Sequence, residues 1–316
     1  MVGYDALRRS AAWFDLGARG EIFATGEDRA RLLHNITTNH IQQLQPGQGC
    51  YAFLLNVQGR IQADLNVLVF ADHIQLDTEP EAGGRVFRHI DHYVIADDVT
   101  LEDATAQFAV LAVEGPQAAQ ALAAAGIPAP AAPYSHLEAR ALVVARITAT
   151  GAPGFRLFVP AAAKEETIAL LEGAGIPAAG AEAARTVRLE HFKPRFGEDI
   201  PDTALPHETQ QLYAVHFNKG CYLGQEIVER VRSRGMVHRL LAGLVIDGNQ
   251  PPAAGAPVLA AGAEAGKITS AAFSPALDRV VALAYLRREH AQPDSTLECE
   301  GRRAEVRPPY APAERA

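Results

Sequence analysis

The sequence predicts an α+β fold with a small β domain at its C-terminal end. Three observations carry that expectation. Short strands run into alanine- or leucine-rich helices three times, hairpins rather than long crossovers join other strands, and from Leu240 onward the chain reads as strands and turns.

The first strand–turn–helix unit is Gly20 to Gly26, followed by a helix pattern over Glu27 to Ile36. The second is Phe108 to Val113, then Glu114-Gly115-Pro116, then a helix from Gln117 closed by Gly126. The third is Phe155 to Val159, then Pro160, then a helix from Ala161 to about Leu171, closed near Gly173. Proline suits a helix start because the first turn leaves its N–H unused, and glycine suits the end because it accepts positive φ. Between the units, Ile61 to Phe70 alternates at first and then turns apolar, the pattern of a strand with a dry end. Ala141 to Thr148 and Phe155 to Val159 read as a hairpin across Gly151-Ala152-Pro153-Gly154.

The pattern changes near Gly235. Leu240 to Ile246, Pro257 to Leu259, Lys267 to Ser270, Arg279 to Leu286 and Thr296 to Glu298 are short strands at close spacing, as in a small barrel or sandwich. The boundary is placed near 236, giving a core of residues 1–235 and a β domain of residues 236–316.

Composition narrows the function. With 316 residues, 48% hydrophobic and 21% charged, the chain is long and apolar enough for two or three packed domains. Its 29 basic and 37 acidic residues give a net charge of -8, without the electrostatic footprint of a nucleic-acid binder. Three sparse cysteines, Cys50, Cys221 and Cys299, exclude a disulfide framework and a four-thiolate metal site within the chain. No apolar stretch approaches a membrane span, and no secretory leader pattern opens the chain, so a cytoplasmic protein is expected. No dinucleotide or P-loop glycine fingerprint occurs. The histidine pairs, His89 with His92 among them, have no metal-ligand pattern around them, so no metal site is expected.

The densest segment is Asn218-Lys219-Gly220-Cys221-Tyr222-Leu223-Gly224-Gln225-Glu226. A thiol between two glycines, beside Lys219 and ahead of a helix pattern rich in arginine, sits where a thiolate is favoured. An unpaired cysteine is also commonly a small buried hydrophobe, and that reading stays open.

This segment resembles the K-G-C-[FY]-x-G-Q-E signature of the YgfZ family, folate-binding proteins related to the glycine cleavage T-protein, an aminomethyltransferase, and implicated in iron–sulfur enzyme maturation. The resemblance extends along the chain. Gly26 to Asn39 is similar to the family's first helix and turn, and Gly59 to Val67 resembles the T-protein run G-G-I-x-D-D-L-x-V, with Ala63 where the first acid stands and Asp64 as the second. Arg188-Leu189-Glu190 resembles the R-L-E whose glutamate the family reading assigns to the pterin. Gly266 to Ser270 with Ser274-Pro275 resembles the T-protein barrel's G-x-V-T-S…S-P. The fold implied is a three-domain ring with a C-terminal β-barrel.

The residues also stand on their own chemistry. One carboxylate can accept both the 2-amino and N3–H bonds of a pterin, which suits Glu190, although a solvated helix face is the usual place of glutamate. Asp64 is disfavoured in a strand by propensity, so it either faces a pocket or faces water on an alternating strand. Arg239, at the entry to the β domain, resembles a T-protein arginine and could meet a folate's glutamate tail through bidentate bonds.

The function first expected is a tetrahydrofolate-binding accessory protein of iron–sulfur cluster assembly or repair. Cys221, Lys219 and Asp64 are its candidate reactive residues, Glu190 and Arg239 its folate contacts, and iron–sulfur enzymes or assembly proteins its partners. A lone cysteine cannot hold a cluster by itself, so Cys221 would act as a shared ligand, by thiol exchange or through an adduct. The alternative is a folate-dependent aminomethyltransferase of T-protein type, for which Asp64 is the one acid left in the motif. A scaffold that keeps the fold without the ligand is the third reading.

Overall fold

The computed structural model describes residues 1–312 apart from Met236 and Asp294. It contains two five-stranded antiparallel sheets and a closed six-stranded barrel. The α+β expectation with a closing β-barrel holds.

One sheet has the order Gly49–Leu55, Ile61–Val69, Ile74–Thr78, Gly20–Thr25, Thr100–Asp103. Helices Arg29–Ile36 and Gly83–Tyr93 cover it, and their buried Leu32, Leu33, Val86 and Ile90 meet Phe53, Leu65 and Leu76 of the strands. Aliphatic and aromatic side chains at helical spacing against alternating strand positions are what bury such a pair of layers.

The second sheet has the order Ala12–Asp15, Phe108–Glu114, Gly154–Pro160, Leu142–Ala145, His136–Ala139. Its first strand precedes the whole of the other sheet in the chain, so the two sheets are intertwined. The expected hairpin is present, with Leu157 opposite Val144. The strand–helix units appear as helices Arg29–Ile36, Ala118–Ala124 and Lys164–Gly173, the last reached through a 3-10 turn at Ala161–Ala163. Gly126 closes the second helix at φ 69.

Helix Ala181–Glu190 then runs between the second sheet and the barrel, with Ala183, Ala184 and Val187 against Phe14 and Ala112 and Leu189 against Leu241 and Leu283. A long irregular stretch leads to helix Gln225–Arg234. The barrel follows in the order Arg239–Ile246, Arg279–Arg287, Ala263–Ser274, Pro257–Ala260, Thr296–Cys299, Arg302–Arg307, and the last strand pairs with the first. Closure leaves no free edge. Among the described residues, no helix is long and apolar enough to cross a membrane.

Candidate functional site

A cavity of about 810 Å³ opens where the two sheets meet helix Ala181–Glu190 and the loop after it. That is the size of a small-molecule site. Tyr51, Asp64 and Asn66 face it from the first sheet, Phe14 and Arg156 from the second, and Lys193, Arg195 and Glu198 from the loop.

Strand alternation decides which residues of Ile61–Val69 reach the cavity. Ala63 is fully buried in the core behind the sheet, whereas Asp64 is half-buried and lines the cavity. Asp64 Oδ2 accepts a 2.8 Å hydrogen bond from the Tyr51 hydroxyl. Its Oδ1 is buried and accepts no bond among the described residues. Desolvation first, and the neighbouring Glu79 charge second, push its carboxyl up to about 6. The Tyr51 and Tyr213 rings lie 5.5 Å apart at 31° on the same wall.

Beside Asp64 runs a relay of ion pairs. Arg19 bonds Asp77 and, at 2.9 Å, Glu79, and Arg156 also bonds Asp77. Arg195 meets Glu79 at 2.8 Å. Burial works against both carboxylates, yet Arg156 and Arg19 hold Asp77, and Arg19 and Arg195 hold Glu79, below their usual range. Behind them, burial and then the Asp77 charge raise the Glu21 carboxyl well above normal. Glu198 is shared by Arg185 and Arg188, each at 2.6 Å.

Of the five residues singled out in the sequence, Asp64 alone lines this cavity. The Glu190 carboxylate instead accepts bonds from the Tyr4 and Ser274 hydroxyls and pairs with Arg8 at 3.0 Å. It ties the N-terminal helix Tyr4–Arg9 and a barrel strand to helix Ala181–Glu190. Arg239 pairs with Glu208 at 3.1 Å and lies over the Tyr285 ring at 4.6 Å.

Cys221 is exposed, the open alternative to a buried hydrophobe. Lys219, two residues earlier, turns inward: its ammonium bonds the carbonyls of His34, Thr37 at 2.7 Å and Asn39 at 2.8 Å. The three carbonyls come from the last turn of helix Arg29–Ile36, its C-cap Thr37 and the chain just beyond. Burial draws the lysine down to about 7, opposed by the nearby Cys50 thiol. Gly224 has φ +79, and a Cβ there would stand 2.6 Å from the Asn56 carbonyl. Downstream, Arg230 and Arg232 pair with Glu226 and Glu229 of their own helix.

Sequence reasoning did not single out Arg19, Asp77, Glu79, Arg156, Lys193 or Arg195. One signal was there to use: a charged residue inside a strand, which marked Asp64, also occurs at Glu21, Asp77, Glu114 and Arg156. No group of three or more metal-ligating side chains occurs among the described residues.

Residues 3–219 match the GCVT N-terminal domain family, and residues 239–311 the glycine cleavage T-protein C-terminal barrel domain. An aminomethyltransferase of Frankia alni is 31% identical over 99% of this chain and 89% of its own length. One of Streptomyces coelicolor is 32% identical, covering 98% and 86%. The crystal structure of the glycine cleavage system aminomethyltransferase T from Bartonella henselae superposes with a TM-score of 0.88 over 96% of this chain and 87% of that one, at 24% identity, a likeness of fold.

Proposed function

The chain belongs to the glycine cleavage T-protein family, and on that premise we propose that it holds a tetrahydrofolate in the cavity and transfers a one-carbon unit there, as an aminomethyltransferase does. The observation that carries this reading is Asp64: a cavity-lining carboxylate with one oxygen fixed by Tyr51 and the other without a donor among the described residues. A reduced pterin offers N–H donors and a flat ring, which suit that carboxylate and the Tyr51–Tyr213 wall.

Tetrahydrofolate supplies the nucleophilic nitrogens that receive the one-carbon unit. The protein's part is to hold the heterocycle against the aromatic wall, accept an N–H or a proton at Asp64, and keep water out. With its pKa near 6, Asp64 is ionised at neutral pH yet basic enough to exchange a proton.

This reading places transfer ahead of the iron–sulfur accessory role. Ala63, which stands in place of the motif's first acid, points into the core, so an acid there would not face the cavity. The full-length relatives carry the aminomethyltransferase name. The accessory reading rests on the Cys221 motif alone.

The test is formation of methylene-tetrahydrofolate from an aminomethylated carrier, with calorimetric titration of tetrahydrofolate alongside. Asp64→Asn is expected to lower kcat by about a hundredfold or more, with folate still bound. Folate binding without any turnover in the wild type would put the accessory role first again.

A further inference from the structure

The barrel does not end the described chain. Its last strand, Arg302–Arg307, runs into Pro308 and Pro309, which have no N–H to extend the pairing. The chain then returns to the cavity, where Pro309, Tyr310, Ala311 and Pro312 line the wall. Residues 308–312 belong to no strand or helix. The Tyr310 N–H donates to the Phe192 carbonyl at 3.0 Å, just past helix Ala181–Glu190. The half-buried Tyr310 ring has its centre 5.1 Å from the Lys193 ammonium. It also covers Gly151, where a Cβ would stand 3.1 Å from the ring and 2.8 Å from His191.

The surface that takes this ring is pinned from behind. Glu114, fully buried at the end of its strand, accepts bonds from three consecutive residues. The donors are the Thr148 hydroxyl at 2.9 Å, the Ala149 N–H, and the N–H (3.0 Å) and hydroxyl of Thr150. The Thr148 hydroxyl in turn accepts the Gly151 N–H at 2.7 Å, and the Thr148 carbonyl takes the Lys193 ammonium. Several charge-assisted bonds to one dry carboxylate fix residues 148–151 more firmly than a turn alone would. Burial, and then the Glu114 charge, push the Tyr310 phenol up to about 12, so the ring that rests here is neutral.

We propose that residues 308–312 form a strap that gates the cavity, with Tyr310 as its latch and Glu114 as the positioning residue for the latch's seat. The two sides of this contact are anchored unequally. A buried carboxylate holds the seat, whereas a ring contact and a backbone bond hold the strap. Segments so lightly tied open locally at small cost while the rest of the fold stays intact. Three prolines in five residues keep the strap extended and stiff, so it lifts as a unit. Seated, it keeps water from whatever the cavity holds; lifted, it opens a way in. The strap adds a gate to the cavity of the folate reading and rests on that reading only for the ligand's identity.

The experiment places a thiol inside the cavity, Asp64→Cys in a Cys221→Ser background, and follows its labelling by a bulky maleimide. A stop codon at position 308 is expected to raise the labelling rate about tenfold, and Tyr310→Ala about three- to tenfold. Tyr310→Phe, which keeps the ring, should stay within about twofold. Glu114→Gln turns an amide N–H2 toward the donors of residues 148–150. It should raise the rate about threefold in the full chain and add nothing in the truncated one. Cys50 and Cys299 are buried and stay unlabelled in every variant that is folded. A rate unchanged in folded, truncated protein overturns the strap; one that responds to truncation but not to Tyr310→Ala overturns the latch. If truncation exposes the two buried thiols, Tyr310→Ala decides for the strap by the same criterion. Stopped-flow binding of tetrahydrofolate, with Asp64 intact, is the second arm. Truncation should quicken association and dissociation about three- to tenfold each, with affinity held within about threefold. Faster labelling beside a wild type that binds no tetrahydrofolate keeps the strap and overturns the folate reading. Tetrahydrofolate bound, with rates and labelling indifferent to truncation, does the reverse.

Discussion

At the cavity, charged side chains from both sheets converge and leave hydrogen-bonding capacity over, at Asp64 Oδ1 and at Lys193. Around Cys221, much of the capacity is consumed by the protein's own backbone, although the buried Tyr222 hydroxyl and His34 Nδ1 have no partner among the described residues. Lys219 closes the end of helix Arg29–Ile36, Tyr222 is buried, Gly224 allows the chain to pass against Asn56, and Gln225 accepts the Tyr222 N–H at 3.3 Å. The densest motif in the sequence is thus largely explained by packing. The cavity is assembled from residues that no motif links. Density of special residues signals constraint, and constraint can be structural.

That contrast can be broken in several ways. The largest effect after Asp64→Asn is expected from Lys219→Met, which leaves three carbonyls without their donor and should cost about 2–3 kcal/mol in denaturant unfolding. If stability is unchanged and turnover collapses, the lysine belongs to the chemistry after all. Glu190→Gln keeps an acceptor for Tyr4 and Ser274 but loses the charge facing Arg8, a loss of about 1–2 kcal/mol. Its tetrahydrofolate affinity should stay within about twofold; a large loss would restore Glu190 as the pterin contact.

Tyr51→Phe sharpens the cavity side. The tyrosine bond favours the ionised Asp64, so removing it raises the carboxyl further above 6. If the ionised form is needed, kcat/KM falls as pH drops through that pKa. In the variant, the acid limb should move up by about one pH unit. A limb that stays put or moves down would detach Asp64 from the profile. The smallest effect is expected at Cys221→Ser: under about 0.5 kcal/mol in stability, with turnover unchanged within about twofold. Iodoacetamide should label Cys221 in the folded protein and reach Cys50 and Cys299 only after unfolding.

What could be read from the sequence follows the range of the interactions. Strand–turn–helix units, the hairpin and the barrel strands depend on neighbours in sequence, so periodicity and turn residues reveal them. Glu190 shows the opposite: its partners are Tyr4, Arg8 and Ser274, on elements far away in the chain, and nothing near Arg188-Leu189-Glu190 announces them. Arg239 likewise finds Glu208 across a turn-rich stretch without a pattern of its own. Asp64 was legible in part, because an acid in a strand is unusual. Its direction was not, since alternation alone leaves either face open to it.

The intertwining of the two sheets bears on the order in which the chain acquires structure. Strand Ala12–Asp15 leaves the ribosome early, but its partner, Phe108–Glu114, emerges about a hundred residues later. The first sheet waits as well, since Phe196, Ile200, Ala214, Tyr222 and Val228 complete its core. Neither sheet can finish before the other's sequence exists, whereas the barrel from Arg239 to Arg307 draws all its strands from one contiguous stretch. The nascent chain therefore passes most of its synthesis with both sheets unfinished, and the two should lock together as one cooperative unit just before the barrel begins.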